Sequence, residues 1–110
     1  MKKLFIILLI AFFSLPVLAA DWKNAPVVDV QCSARVKADP DSHTRECAMK
    51  CAKGGFGIYT SDGKFLKFDS KGNDEFLNAL KKTDKKDHLR VNVTGEQSGD
   101  TIKVQSLSLT

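Results

Sequence analysis

The sequence is short of the groups from which most catalytic and cofactor sites are built. It holds only two histidines, three cysteines, one tryptophan and one tyrosine. No Gly-rich phosphate loop and no nucleophile elbow occurs, which removes the common signatures of nucleotide binding and acyl transfer. Nor is there a Cys-x2-Cys pair. Its absence excludes the Cys-x-x-Cys-His haem attachment and the paired knuckle of a zinc finger. It also leaves a thiol oxidoreductase without its usual motif, in which two thiols sit at a helix start and the dipole lowers one pKa. Internal repeats, low-complexity segments and linkers are missing as well, so one domain is expected.

The N-terminal twenty residues carry Lys2 and Lys3, an apolar run from Leu4 to Phe13, and then Ser14-Leu15-Pro16-Val17-Leu18-Ala19-Ala20. The run is too short for a membrane span, and Pro16 precedes a Val-x-Ala cleavage signature. Residues 1–20 are expected to be a signal peptide cut after Ala19 or Ala20, and residues 21–110 a single periplasmic or secreted domain. No cysteine stands at the cleavage point, so a lipoprotein anchor has no attachment residue and no stable membrane anchor is expected after cleavage. Removing Lys2 and Lys3 leaves 15 basic residues against 13 acidic ones, and the net charge falls from +4 to +2. The charge balance and the export signal both argue against nucleic acid as a partner. A protein or a small molecule is the expected class. A domain of about 90 residues buries about two-thirds of its unfolded surface and often benefits from a covalent or metal crosslink.

After an irregular lead, Asp21 to Pro26, the alternation of Val28, Val30, Cys32, Ala34 and Val36 with Asp29, Gln31, Ser33, Arg35 and Lys37 predicts a half-buried strand from Val27 to Lys37 with Cys32 facing inward. Ala38 to Ser42 reads as a turn. Ser42 or Thr44 then caps a short helix that ends at Gly54. Phe56–Thr60 and Phe65–Phe68 flank Ser61-Asp62-Gly63-Lys64 and predict a tight hairpin. A second helix opens at Ser70 or Asn73, with Phe76, Leu77 and Leu80 as its apolar stripe. Leu89, Val91 and Val93 mark the next strand, and Ile102 and Val104 the last. There the apolar register jumps to Leu107 and Leu109, which predicts a bulge near Gln105 or Ser106. The order β-(α)-β-β-α-β-β is mainly β with two short helices, an α+β chain in the element order of an OB-like five-stranded barrel. A meander with two packed helices fits the same order.

Most of the unusual chemistry lies between Asp41 and Gly55, with Cys32 upstream. On a helix, His43, Cys47 and Cys51 fall at i, i+4 and i+8, each step advancing about 40° around the axis. With Cys32 they make a Cys3His set that suits zinc and also cuprous copper. The competing expectation is a disulfide from Cys32 to Cys47 or Cys51, favoured by an exporting compartment. The odd cysteine count would leave one thiol over. A thiol redox protein is a third expectation, weakened by the three-residue spacing. Glu46 or Asp41 are candidates to orient His43. The aromatics Tyr59, Phe65 and Phe68 alternate with Lys64 and Lys67 on the central hairpin, but near-balanced charge makes a polyanion surface the lesser reading. His88 reads as a solvated residue at a strand entry.

The run His43-x3-Cys47-Ala48-x2-Cys51 with Gly54-Gly55, then Asp62-Gly63-Lys64, Val91-x-Val93-Thr94-Gly95 and Gly99-Asp100-Thr101-Ile102-x-Val104, resembles a group of small exported bacterial proteins with an OB-like barrel. The resemblance covers nearly all of residues 21–110. It implies export, a barrel and an upstream cysteine in the place of Cys32, and it brings no established activity. The sequence therefore points to a non-enzymatic binding module with a Cys/His cluster in its first connection.

Overall fold

A computed structural model describes residues 18–110. The expected signal peptide lies outside the described residues except for Leu18, Ala19 and Ala20. Five strands, β1 (Leu18–Asp29), β2 (Phe56–Tyr59), β3 (Phe65–Phe68), β4 (Arg90–Ser98) and β5 (Thr101–Leu109), close into a barrel in the order β1-β2-β3-β5-β4. Helix α1 (Arg45–Lys50) lies in the β1–β2 connection, and α2 (Ser70–Lys82) joins β3 to β4. Among the described residues the one parallel pairing is β3 with β5, where Lys67 meets Thr101 and Phe68 meets Ile102. A closed five-stranded barrel with its helix between the third and fourth strands is the OB-like architecture.

Strand β1 serves two partners. Its first part pairs with β4, from Leu18 opposite Gln97 to Pro26 opposite Arg90, and its last part, Val27 to Asp29, pairs with β2. The register shifts between Trp22 and Ala25, where Asn24 takes φ 51°. That irregularity bends the strand from one side of the barrel to the other. On the β4–β5 hairpin, Thr94 faces Ser106 and Gly95 faces Val104, so Gln105 is the extra residue of a bulge, where the jump in apolar register placed it.

Two expectations need correction. The segment Asp21 to Pro26 is strand, because β4 gives it hydrogen-bonding partners. The strand foreseen up to Lys37 stops at Asp29, since β2 is only four residues long and its pairing with β1 ends where Asp29 faces Phe56. Without a partner strand, the alternating stretch folds on itself: Ser33 N–H donates to the Val30 carbonyl, Val36 to Cys32, and Asp39 to Val36.

The core is made by the inward faces of the strands and by α2. Phe56 and Phe76 meet edge to face at 4.7 Å, and Phe76 meets Phe68 at 6.3 Å. Such pairs bury large apolar area and add a geometric preference. Helix α2 opens at Ser70, one of the two expected starts, and its cap is Asp69. Its Oδ1 accepts from Gly72 N–H at 3.0 Å and from Val104 N–H at 3.2 Å, so the same oxygen fixes the helix start to β5. The helix can approach this closely because residue 72 has no side chain. A Cβ there would run into Val104 and Phe68.

Candidate functional site

The connection from β1 to β2 is long, and it is held down at several points. Asp41, in a 3-10 turn over Pro40–Ser42, takes both arms of Arg90 at 2.9 and 2.7 Å, and its carbonyl accepts from His88 N–H at 3.0 Å. Planar two-point pairing of this kind fixes orientation as well as distance. The guanidinium of Arg90 holds the Asp41 carboxyl below its ordinary range, with burial opposing. Arg45 N–H donates to the Lys86 carbonyl and Arg45 Nε to the Leu80 carbonyl, each at 2.8 Å. At the other end, the Tyr59 hydroxyl donates to the Ser33 carbonyl.

This anchoring gathers side chains from the end of β1 and from two places in the connection. Asp29 is the last residue of β1 and is wholly buried. Its Oδ2 accepts from Cys32 N–H at 3.0 Å, closing the turn that follows the strand. Cys32 is buried, and Arg35 Nη2 donates to its sulfur at 3.0 Å. Cys51 ends α1, its N–H bonded to the Cys47 carbonyl at 3.1 Å, and is half-buried. Gly55 then takes φ 85° to send the chain into β2. As a result, donor atoms of Asp29, Cys32 and Cys51 all lie within 4.8 Å of one another.

His43 borders this group. It follows the 3-10 turn in extended conformation, φ −68° and ψ 127°, and is only 3 % exposed. Its Nε2 stands 2.5 Å from Asp29 Oδ1. The approach lacks hydrogen-bond alignment, and neither atom has another partner. The two buried groups thus make a close ion-pair contact that lacks the geometry of a hydrogen bond.

The structure separates the four residues expected to act together. Cys32 and Cys51 converge and His43 abuts them through Asp29, but Cys47 is exposed and outside the group. The reason is that α1 begins only at Arg45, capped by Thr44 Oγ1 accepting from Cys47 N–H at 3.1 Å. His43 is therefore off the helix, and the supposed three-residue stripe does not form. The three thiols are free, with no disulfide among them. Asp41 and Glu46 are not the partners of His43: Asp41 is committed to Arg90, and Glu46 faces solvent beside Lys50 at 3.5 Å.

Asp29 is the member that sequence reasoning missed. The alternation put it on the solvent face, and residue order carries no sign that the pairing of β1 with β2 ends at Asp29. Burial pushes the Cys32 thiol above its ordinary pKa, and the Asp29 charge adds to this while Arg35 opposes it. Such a thiol has little of the thiolate character that a redox nucleophile needs. A metal cation bound there would supply that stabilisation, because it binds the deprotonated form.

The chain is an OB-like barrel in which a buried carboxylate at the end of β1 meets two thiols of the first connection. No protein-family model, curated protein or solved structure matches the chain.

Proposed function

We propose that this protein is a small exported, non-enzymatic binding module that holds one zinc ion at Asp29, Cys32 and Cys51. The observation that carries the reading is the convergence of one carboxylate and two sulfurs within 4.8 Å in a largely buried setting. Zinc accepts mixed oxygen and sulfur donors, whereas cuprous copper favours sulfur alone, so the carboxylate tips the choice. His43 then supports the ligand Asp29 from behind, as outer partners of metal ligands do. Three protein ligands leave one position for water or for a donor from a bound partner. The resemblance to small exported barrel proteins and the Lys2 to Ala20 pattern support secretion to the periplasm or beyond. The balanced charge favours a protein or a small molecule over nucleic acid as that partner.

A disulfide between Cys32 and Cys51 is the second reading, favoured by the same closeness of the two sulfurs and by an oxidising destination. Native mass spectrometry of protein exported by its own signal, purified without chelator or reductant, separates the two. Zinc binding gives a mass raised by one zinc ion, lost on acidification and absent from Asp29→Asn and Cys32→Ser. A mass lower by two hydrogens, with no metal and no response to Asp29→Asn, overturns it in favour of the disulfide.

A further inference from the structure

The pairing of β1 with β2 starts only at Val27, opposite Ile58, whereas on its β4 side the same strand is paired as far back as Leu18. Over residues 18–26 the edge of β1 turned away from β4 therefore has no strand against it among the described residues. The β2–β3 hairpin does not fill the gap. Thr60 N–H donates to the Lys64 carbonyl and Gly63 N–H to the Thr60 carbonyl, so the turn closes on itself. Asn24, at φ 51°, and the register shift around it bend β1 at the same level. The result is an open cleft of about 500 Å³ between residues 21–26 and the hairpin turn that follows Tyr59.

Trp22 is the centre of the cleft. It pairs with the buried Val93, so the indole lies on the inward face of β1, at the mouth of the barrel. It packs against the core yet stays half-exposed, and it lines both this cleft and a second depression beside Lys64 and Gln97. Ala25, Pro26, Pro40 and Tyr59 continue the apolar wall. The charges are Lys23, Lys37, Arg90 and Asp21. Asp41 neutralises Arg90, and Asp21 Oδ1 accepts from Thr94 Oγ1 at 2.8 Å. Lys23 and Lys37 are exposed and in no ion pair among the described residues. Two lysines against one carboxylate leave an excess of one positive charge.

We propose that this cleft binds a small aromatic monocarboxylate, its ring against Trp22 and its carboxylate between Lys23 and Lys37. The volume is that of a small-molecule site, and apolar walls with a few polar groups are the usual lining of one. An aromatic ring stacks offset or edge-on against indole and gains more than its buried area alone supplies. The excess of a single charge suits a monoanion. Lysine is a compact point charge on a flexible stem, suited to a carboxylate at an open rim. The cleft shares no residue with Asp29, Cys32 and Cys51, so the proposal goes beyond the zinc reading and either can fail alone.

Trp22 is the chain's one tryptophan, so tryptophan fluorescence reports directly on this cleft. The test titrates phenylacetate, and separately its neutral isostere phenylacetamide, into the protein exported by its own signal, at constant ionic strength. Phenylacetate is expected to give a saturable change, with half-saturation in the millimolar range that so small a ligand allows. Phenylacetamide on wild type, and phenylacetate on Lys23→Gln and on Lys37→Gln, are each expected to bind about threefold more weakly, the size of a solvent-exposed charge contact. A change that rises without saturating, equal affinity for acid and amide, or wild-type affinity in either lysine variant overturns the proposal. Amide chemical shifts check the location. Shifts at Thr60, Ser61 and Gly63 are expected, and saturable binding that leaves these three unmoved also overturns it. Both lysines are exposed, so the variants are expected to fold, and circular dichroism beside wild type checks this.

Discussion

Asp29 Oδ1 and His43 Nε2 lie 2.5 Å apart, both buried, one at the end of a strand and the other just before a helix. The contact ties the first strand of the barrel to the middle of its longest connection. In the metal-free reduced protein, His43→Ala is expected to cost about 3 kcal/mol, because it strips a buried carboxyl of its neighbour. Urea denaturation measures this, and Asp29→Asn in the His43→Ala background should then cost less than it does in wild type. Strictly additive losses would show that the two side chains do not act on each other.

The Arg90–Asp41 pair is partly open to solvent, with side-chain exposures of 33 % and 24 %, so its value is modest. Arg90→Lys keeps the charge and loses the two-point geometry. A loss of about 1 kcal/mol in global stability is expected. Faster hydrogen exchange at the His88 amide, which donates to the Asp41 carbonyl, is the local readout. Unchanged exchange there would mean the pair does not hold the connection down.

Tyr59 gives a pH signature. Burial raises its phenol above the ordinary 10.0. The fold therefore favours the neutral phenol. Its contribution is complete below the unfolded value of about 10 and is lost as pH rises through the higher folded value. Tyr59→Phe is expected to lower stability by about 1 kcal/mol at neutral pH. The gap between variant and wild type should narrow above about pH 10, as urea unfolding from pH 8 to 11 would show. A gap that stays constant across that range would contradict the assignment.

Phe76 joins the aromatic cluster of α2 to the barrel, and it is fully buried between Phe56 and Phe68. Phe76→Ala should cost about 4 kcal/mol by leaving a cavity among rigid neighbours. Leu77, only partly buried beside it, should cost clearly less when truncated. Thermal unfolding of both variants tests this ranking, and equal losses would place the weight of the helix on a different face.

The elements with strong local signals were legible in the sequence. The hairpin at Asp62-Gly63, the stripe of Phe76 and Leu80, and the bulge at Gln105 each rest on a turn residue or a periodicity that the backbone obeys. The site was only partly legible. Cys32 and Cys51 were named, but the period-two pattern from Val28 to Val36 suggested a strand where no partner strand exists. Nothing in residue order tells where pairing runs out. For the same reason Asp29 looked solvent-facing, and His43 looked helical although Thr44 starts the helix after it.

The closure of the barrel also sets the timing of folding. Asn24 N–H bonds to the side chain of Asn92, 68 residues later, and Trp22 is paired with Val93. The first strand finds its main partner only when most of the chain is present, and such distant pairing is slow to form. Its leading segment stays without its main partner strand until the trailing hairpin arrives, so the order of strands makes closure of the barrel the last event of folding.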